Sequence, residues 1–228
     1  MLIMIMVLAG GLAGWLLVTH HQRWGSLMMV VMLCCQGIIL LDTQYHYGAT
    51  VKPQTVTSKI APVTQIKGNQ VLVTKQVEQG KTAYTAYATR EPQTQRLDLV
   101  LNRQKRVRLV TGVPAKQVAK VTRTWHYYYQ KTSLKWLFAG VTTAGQKQRQ
   151  TVTYQLSDQW QVLTRRQLTQ LGKQLKQTAT QAQLQAVVTK HVRQQIQAHP
   201  QLASQQAELV KQTEQIAVRQ LIEKVRQD

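Results

Sequence analysis

The chain opens on two long apolar runs. Leu2–Val18 (LIMIMVLAGGLAGWLLV) holds 17 residues without a charge, and Ser26–Leu41 (SLMMVVMLCCQGIILL) holds 16. At 1.5 Å per residue each is close to the shortest helix that crosses a hydrocarbon core. The polar stretch THHQRWG, residues 19–25, separates them. The pattern predicts a transmembrane helical hairpin over residues 1–42, with spans at about 2–18 and 26–41. Trp15 and Trp24 suit the membrane interface. Gly10 and Gly14 form a small-xxx-small pair that lets the second span approach the first. Gln36, the strongly polar side chain deep in the second run, is expected to hydrogen-bond across to it. No Lys or Arg precedes the first run, so it lacks the basic head of a cleaved signal and reads as an uncleaved anchor.

From residue 43 to 160 the period changes to two. VLVTKQV (71–77) and TAYTAYA (82–88) flank Glu78-Gln79-Gly80, which predicts a strand pair. RLDLVLN (96–102) alternates at Leu97, Leu99 and Leu101, then turns through NRQK into RVRLV (106–110). Asp98, between two of those leucines, is expected to face solvent. VTRTWHYYYQ (121–130) leads through Lys131-Thr132-Ser133 into LKWLFAGV (134–141), and QTVTYQLS (150–157) supplies a last strand. Val, Thr and Tyr suit a pleated, half-buried surface. The expectation is a small antiparallel β domain, a sandwich or an open barrel. Trp125, Tyr127 and Tyr129 share one face of their strand and read as core, packed on Trp136 and Phe138.

Residues 161–228 are Gln-rich, with no glycine after Gly172. Leu168, Leu171, Leu175 and Ala179 recur on one helical face, and Leu184, Val188, Val192 and Ile196 on another. Pro200 lacks an amide proton and disfavours helix at His199, so a break falls at 199–200. Leu202, Leu209 and Ile216 then recur at seven, continued by Leu221 and Val225. A C-terminal helical pair follows, covering the sheet or pairing with a second copy. The fold class is therefore α+β in three parts: 1–42, 43–160 and 161–228.

Charge sharpens this picture. The first 42 residues hold one base, Arg23, and one acid, Asp42, so the rest carries 28 Lys+Arg against 8 Asp+Glu. Such a field attracts polyanions: envelope polymers, anionic lipid headgroups or nucleic acid, the last being the least favoured. The densest cluster is RQKRVR, with Arg103, Lys105, Arg106 and Arg108 as anion-contact candidates and Lys120 and Arg123 as additions. The alternative role for those bases is protection of a strand edge. Arg23 holds the short loop inside by the positive-inside rule, while Lys52 and Lys59 oppose it. Long domains cross largely regardless of charge, so the large domain is expected outside.

Catalytic and metal chemistry find little support. Cys34 and Cys35 both fall in the second apolar run, which leaves the large domain without a cysteine for a disulfide or a zinc site. The six histidines show no ligand spacing, and the acids Glu78, Glu91, Asp98 and Asp158 form no evident pair. No phosphate-binding loop and no activated-serine motif occurs. The expectation is no catalytic residue, no metal and no cofactor.

The order of parts resembles an uncharacterised family of two-pass membrane proteins from lactic acid bacteria. The features that carry it are the N-terminal hairpin, the block YYYQKTSLKWLFAG (127–140) and the Gln/Lys/Thr-rich tail. The resemblance spans the whole chain and implies a Gram-positive membrane setting; it carries over no functional residue. The functional expectation is a non-catalytic, membrane-anchored protein whose basic domain binds an anionic envelope polymer or a partner membrane protein. A cytosolic-facing adaptor for anionic lipid or nucleic acid is the second reading, and an enzyme without a known motif the third. Possible self-association through 161–228 accompanies the first.

Overall fold

The computed structural model describes residues 1–46, 48–141 and 143–227. It is an α+β protein, with six α-helices among the described residues and mostly antiparallel strand pairing. Two compact units divide the chain, Met1–Val56 with Arg123–Thr151, and Thr57–Thr122 with Val152–Asp228. This division follows compactness rather than composition, and the boundary falls inside three strands.

The first unit begins with helices α1 (Leu2–Val18) and α2 (Gln22–Tyr45), which pack against each other. The turn between them is tight. His20 takes a left-handed conformation at φ 62°, and the His21 amide donates to Leu16 O at 2.9 Å. The seam is built from small residues: Ala9 and Ala13 are buried on α1, Gly25 and Cys35 on α2. A β-carbon at Gly25 would come within 2.8 Å of Leu17, so the close approach requires glycine there. Gly10 sits against Met32, whereas a β-carbon at Gly14 would meet nothing within 4 Å. Gln36 is exposed. The expected packing role thus falls to Ala9 and Ala13 rather than to Gly14 or Gln36, because 100° per residue carries those two positions off the seam. Helix α2 starts four residues before the predicted span and ends four after it.

Strands β1 (Ala49–Ser58), β7 (Ala119–Tyr129) and β8 (Lys147–Gln155) run through the unit boundary, and β6 (Lys105–Val110) completes a four-stranded sheet in the order β1-β7-β8-β6. In the first unit, Tyr129 is buried and its ring stacks on Phe138, centroids 5.1 Å apart. Phe138 does not come from a strand. The predicted strand 134–141 is instead α3 (Thr132–Leu137) and the turn after it. Leu134, Leu137 and Phe138 fall at i, i+3 and i+4, which is helical spacing, and Leu134, Leu137 and Phe138 all join the cluster around Tyr129. Trp136, expected in that core, is 65% exposed.

The second unit holds the five-stranded sheet: β2 (Thr64–Ile66), β3 (Asn69–Gln79), β4 (Thr82–Arg90), β5 (Leu97–Leu101) and β9 (Trp160–Thr164). The pairing of β3 with β4 was legible, and the register runs from Val73↔Ala88 to Gln79↔Thr82. Residues 97–101 and 105–110 do not pair with each other among the described residues; β5 pairs with β4 and β6 with β8. Asn102 explains the crossing: its Oδ1 accepts from Thr85 N at 2.8 Å and its amide donates to Thr85 O, so it finishes the β4 ladder before the chain leaves that sheet. Residues 161–164, expected to begin the helical tail, belong instead to β9, which runs parallel to β3.

Helices α4 (Arg165–Lys176), α5 (Thr178–Ala198) and α6 (Gln206–Gln227) follow. Thr164 and Gln167 close a capping box at the start of α4, which satisfies two of its otherwise unpaired amides. The break at 199–200 is present: α5 ends at Ala198 and a 3-10 turn spans Pro200–Gln205. A second break, at Gln177, separates α4 from α5. The Leu202 side chain lies outside the described positions.

The core of this unit has two layers. On one face of β3, Val71 packs with Leu171 of α4 and Val218, Ile222 and Val225 of α6. On the other, Leu72 packs with Val100, Trp160, Val152, Tyr154 and Leu156. Most of the predicted tail stripes are used within the chain: Leu168, Leu171 and Leu175 belong to the first layer, and Leu184, Val188, Val192 and Ile196 meet α6, whereas Ala179 is exposed and Ile216 is 55% exposed.

Candidate anion-binding surface

The candidate bases separate into distinct environments. Arg103, Lys105, Arg106 and Arg108 occupy one corner of the second unit, where the chain passes from β5 to β6. Arg103, Arg106 and Arg108 are exposed, and Lys105 is half-buried. Arg106 and Arg108 share a strand face, while Val107 between them turns into the core. Arg103 lies over the Tyr84 ring, 5.9 Å from its centroid. The ion pairs among the described residues are Lys67–Glu214, Lys120–Asp98 and Arg219–Glu223, so no carboxylate neutralises this corner.

Lys120 does not belong to that surface. Its ammonium pairs with Asp98, and both side chains are largely withdrawn from solvent. Asp98 therefore points inward, against expectation, beside Val100 and opposite Leu97 and Leu99. Arg123 lies in the first unit and is exposed. A second basic feature lies there that linear order does not signal: Arg149 stacks on Trp125, its guanidinium carbon 4.4 Å from the ring centroid. Nothing in linear order links positions 125 and 149; the adjacency of β7 and β8 in the sheet does.

The other unforeseen group is a buried carboxylate. Asp42 lies at the end of α2 and is fully buried. The Tyr129 hydroxyl donates to its Oδ2, and Oδ1 has no partner among the described residues. A carboxylate near a helix C-terminus meets the negative end of the dipole. This pair links the apolar helix to the last residue of β7. Burial, and then Asp42, push the Tyr129 hydroxyl well above its ordinary pKa. Tyr154, in the core of the second unit, is pushed up by burial and by Asp98, with the Thr89 hydroxyl offsetting part of this.

The sign of the resulting pH dependence follows. Unfolded tyrosines ionise at about pH 10, whereas these two hold their protons in the folded chain. The folded state then binds more protons above that pH, so stability is intact below about pH 10 and falls as pH rises beyond it. Denaturant titrations between about pH 8 and pH 11 should show the fall, and Tyr154→Phe should flatten it by up to about 1.4 kcal/mol per pH unit. An unchanged slope in that variant would count against the assignment.

A groove of about 1030 Å³ lies between α5, α6 and β2. Its lining includes the aliphatic side chains of Leu184, Val188, Val192 and Val218, and Glu214 is the one carboxylate in it among the described residues. Among the described residues no group of three His, Cys, Asp or Glu side chains is arranged to hold a metal.

These features define an α+β protein with an apolar N-terminal helix, Gln22–Tyr45, long enough to cross a membrane. The chain belongs to the family defined by a domain of unknown function, DUF4811, whose model matches residues 18–171. That match takes in α2, the Asp42–Tyr129 pair, the basic corner and the start of α4. No curated protein and no solved structure matched the chain.

Proposed function

We propose that this is a non-catalytic, two-pass membrane protein whose basic domain lies outside the cytoplasm. There it binds an anionic cell-envelope polymer, or a partner membrane protein that presents an anionic surface. The observation that carries this reading is the corner of Arg103, Lys105, Arg106 and Arg108, its three arginines exposed and Lys105 half-buried, with no carboxylate among the described residues paired to it. Backbone-spaced phosphates suit such an array, since each cation displaces a condensed counterion.

The second span rests on α1. It is shorter than α2, but Met4, Val7, Leu8 and Trp15 are each 64% exposed on its outer side, and Val18 is 79% exposed. Lipid satisfies that surface and water does not. With both helices in the bilayer, Arg23 favours the cytoplasmic side for their short turn and sends the large domain outward. A Gram-positive envelope is the setting that the resemblance implies.

One strain set tests the reading. Alkaline phosphatase or a fluorescent protein is fused after Asp228, and the same chain is assayed for wall-polymer binding. The expected result is active phosphatase, no fluorescence, and binding that falls about 10³-fold or more between 50 and 200 mM salt, as for about six phosphate contacts. Replacing the four bases of the corner by alanine should remove most of that salt dependence. Strong fluorescence without phosphatase activity would replace this reading by a cytosolic-facing adaptor for anionic lipid or nucleic acid. Salt-insensitive binding would remove the basic corner from the account.

A further inference from the structure

We propose that the uncovered half of the five-stranded sheet docks on an anionic lipid bilayer, through Leu97, Leu99 and Leu101 with Lys75 and Arg103 at the rim. The strand register places these residues together. Leu99 pairs with Ala88, and Ala88 with Val73; Leu101 pairs with Ala86, and Ala86 with Lys75. Directly paired residues share a sheet face. These rows therefore lie on the same face as Val71 and Val73, the face against which α4 and α6 pack. The helical cover reaches Val71 and partly Val73. Farther across the sheet Leu97, Leu99 and Leu101 are 53%, 58% and 44% exposed. Three leucines in line on an edge strand form a contiguous apolar stripe, which a folded domain rarely leaves bare without use.

Charge identifies the occupant. Lys75 is exposed on the Leu101 row, and Arg103 lies over Tyr84, which pairs with Val77 on this face. Arg90, opposite Leu97, is fixed by bonds to Val63 O and Gln95 O. An apolar stripe with cations at its rim matches hydrocarbon beneath anionic headgroups. A second copy of the chain is the poorer match, since each copy carries a net charge of +20 and repels another. The inference rests on the membrane reading of α2 and is independent of polymer binding at Arg106 and Arg108.

The test uses the full chain in lipid nanodiscs, with Cys34→Ala and Cys35→Ala to clear the native thiols. An environment-sensitive fluorophore is attached through Leu99→Cys. In discs of phosphatidylglycerol mixed with phosphatidylcholine, the emission should shift to the blue and be quenched by brominated acyl chains. In phosphatidylcholine alone the docked population should fall by at least about fivefold for each cation engaged, and Lys75→Glu should produce a similar loss in anionic discs. Leu97→Asp should abolish the shift while the far-ultraviolet circular dichroism stays unchanged, because position 97 is outside the core. Three results would overturn the proposal. The first is equal emission in both lipids without quenching. The second is a blue shift that grows with protein concentration in detergent, which means self-association. The third is a shift produced by soluble polyphosphate without acyl-chain quenching, which means a free polyanion. Loss of polymer binding with docking intact would instead count only against the basic corner.

Discussion

Tyr129→Phe is expected to destabilise the first unit by about 3 kcal/mol. The change removes one oxygen and leaves the ring, its burial and its stacking on Phe138 in place. The cost arises at Asp42. That carboxylate is fully buried, its Oδ1 is already without a partner among the described residues, and the tyrosine hydroxyl is what its Oδ2 accepts from. Removing one partner of a buried charged hydrogen bond exposes the whole desolvation penalty of the other. The apparent Tm of the detergent-solubilised chain should fall by about 6–12 °C. The companion variant separates this mechanism from lost packing. Asp42→Leu with Tyr129→Phe removes both polar groups, and most of the lost stability should return. A double variant no more stable than Tyr129→Phe alone would show that the hydroxyl acts through something other than Asp42.

This pair also shows where sequence reading stops. Asp42 is the acid that ends the second apolar run, and in linear order it marks the point where the run ends. Tyr129 sits in WHYYYQ, where alternation assigns its face correctly but gives no partner. Their meeting depends on the return of the chain 87 positions later, and no local period reports that. The two apolar runs were legible because their composition alone excludes water. The break at His199-Pro200 was legible because proline acts through its own covalent geometry. The basic corner was legible as a cluster, but its shape was not. The turn NRQK resembles the tip of a strand pair, and only the strand pairing, β5 with β4 and β6 with β8, shows that it carries the chain from one sheet to another.

The eight residues LKWLFAGV show a different limit. Their apolar positions fit a period of two and a period of 3.6 about equally well, as short apolar runs often do. Packing decides between them. As a helix the segment turns Leu134, Leu137 and Phe138 toward Tyr129, and a β-carbon at Gly48 would come within 2.6 Å of Leu134. Gly48, at φ +71°, suits both that contact and the left-handed backbone. The aromatic strand and the helix after it therefore form one packed cluster with α1 and α2, which places the residues of the YYYQKTSLKWLFAG block beside the membrane-length helix in the first unit.

Leu72→Ala and Leu99→Ala should separate by the widest margin of any two leucines in the sheet. Alternation treats them alike, as apolar positions in strands of period two, and if anything favours Leu99 within its clean Leu97-Leu99-Leu101 series. Burial separates them. Leu72 is fully buried among Val100, Val152, Tyr154, Leu156 and Trp160, while Leu99 is 58% exposed. Truncating Leu72 leaves a cavity between two sheets that cannot easily collapse, at a cost of about 2–5 kcal/mol. Truncating Leu99 should change stability by no more than about 0.5 kcal/mol. Chemical denaturation of the full chain in detergent, followed by tyrosine and tryptophan fluorescence, reads both. A loss at Leu99 comparable to that at Leu72 would mean that the outer face of β5 is covered in the folded chain. The reason for the contrast is general to a half-covered sheet. Each of the two faces of β3 meets a packed layer, so Val71 and Leu72 are consecutive and both fully buried. On β5 only the face of Asp98 and Val100 meets one. Alternation reports that a strand has two different faces; which of them is covered depends on how far the helices extend, and α4 and α6 cover β3 but leave the leucines of β5 exposed.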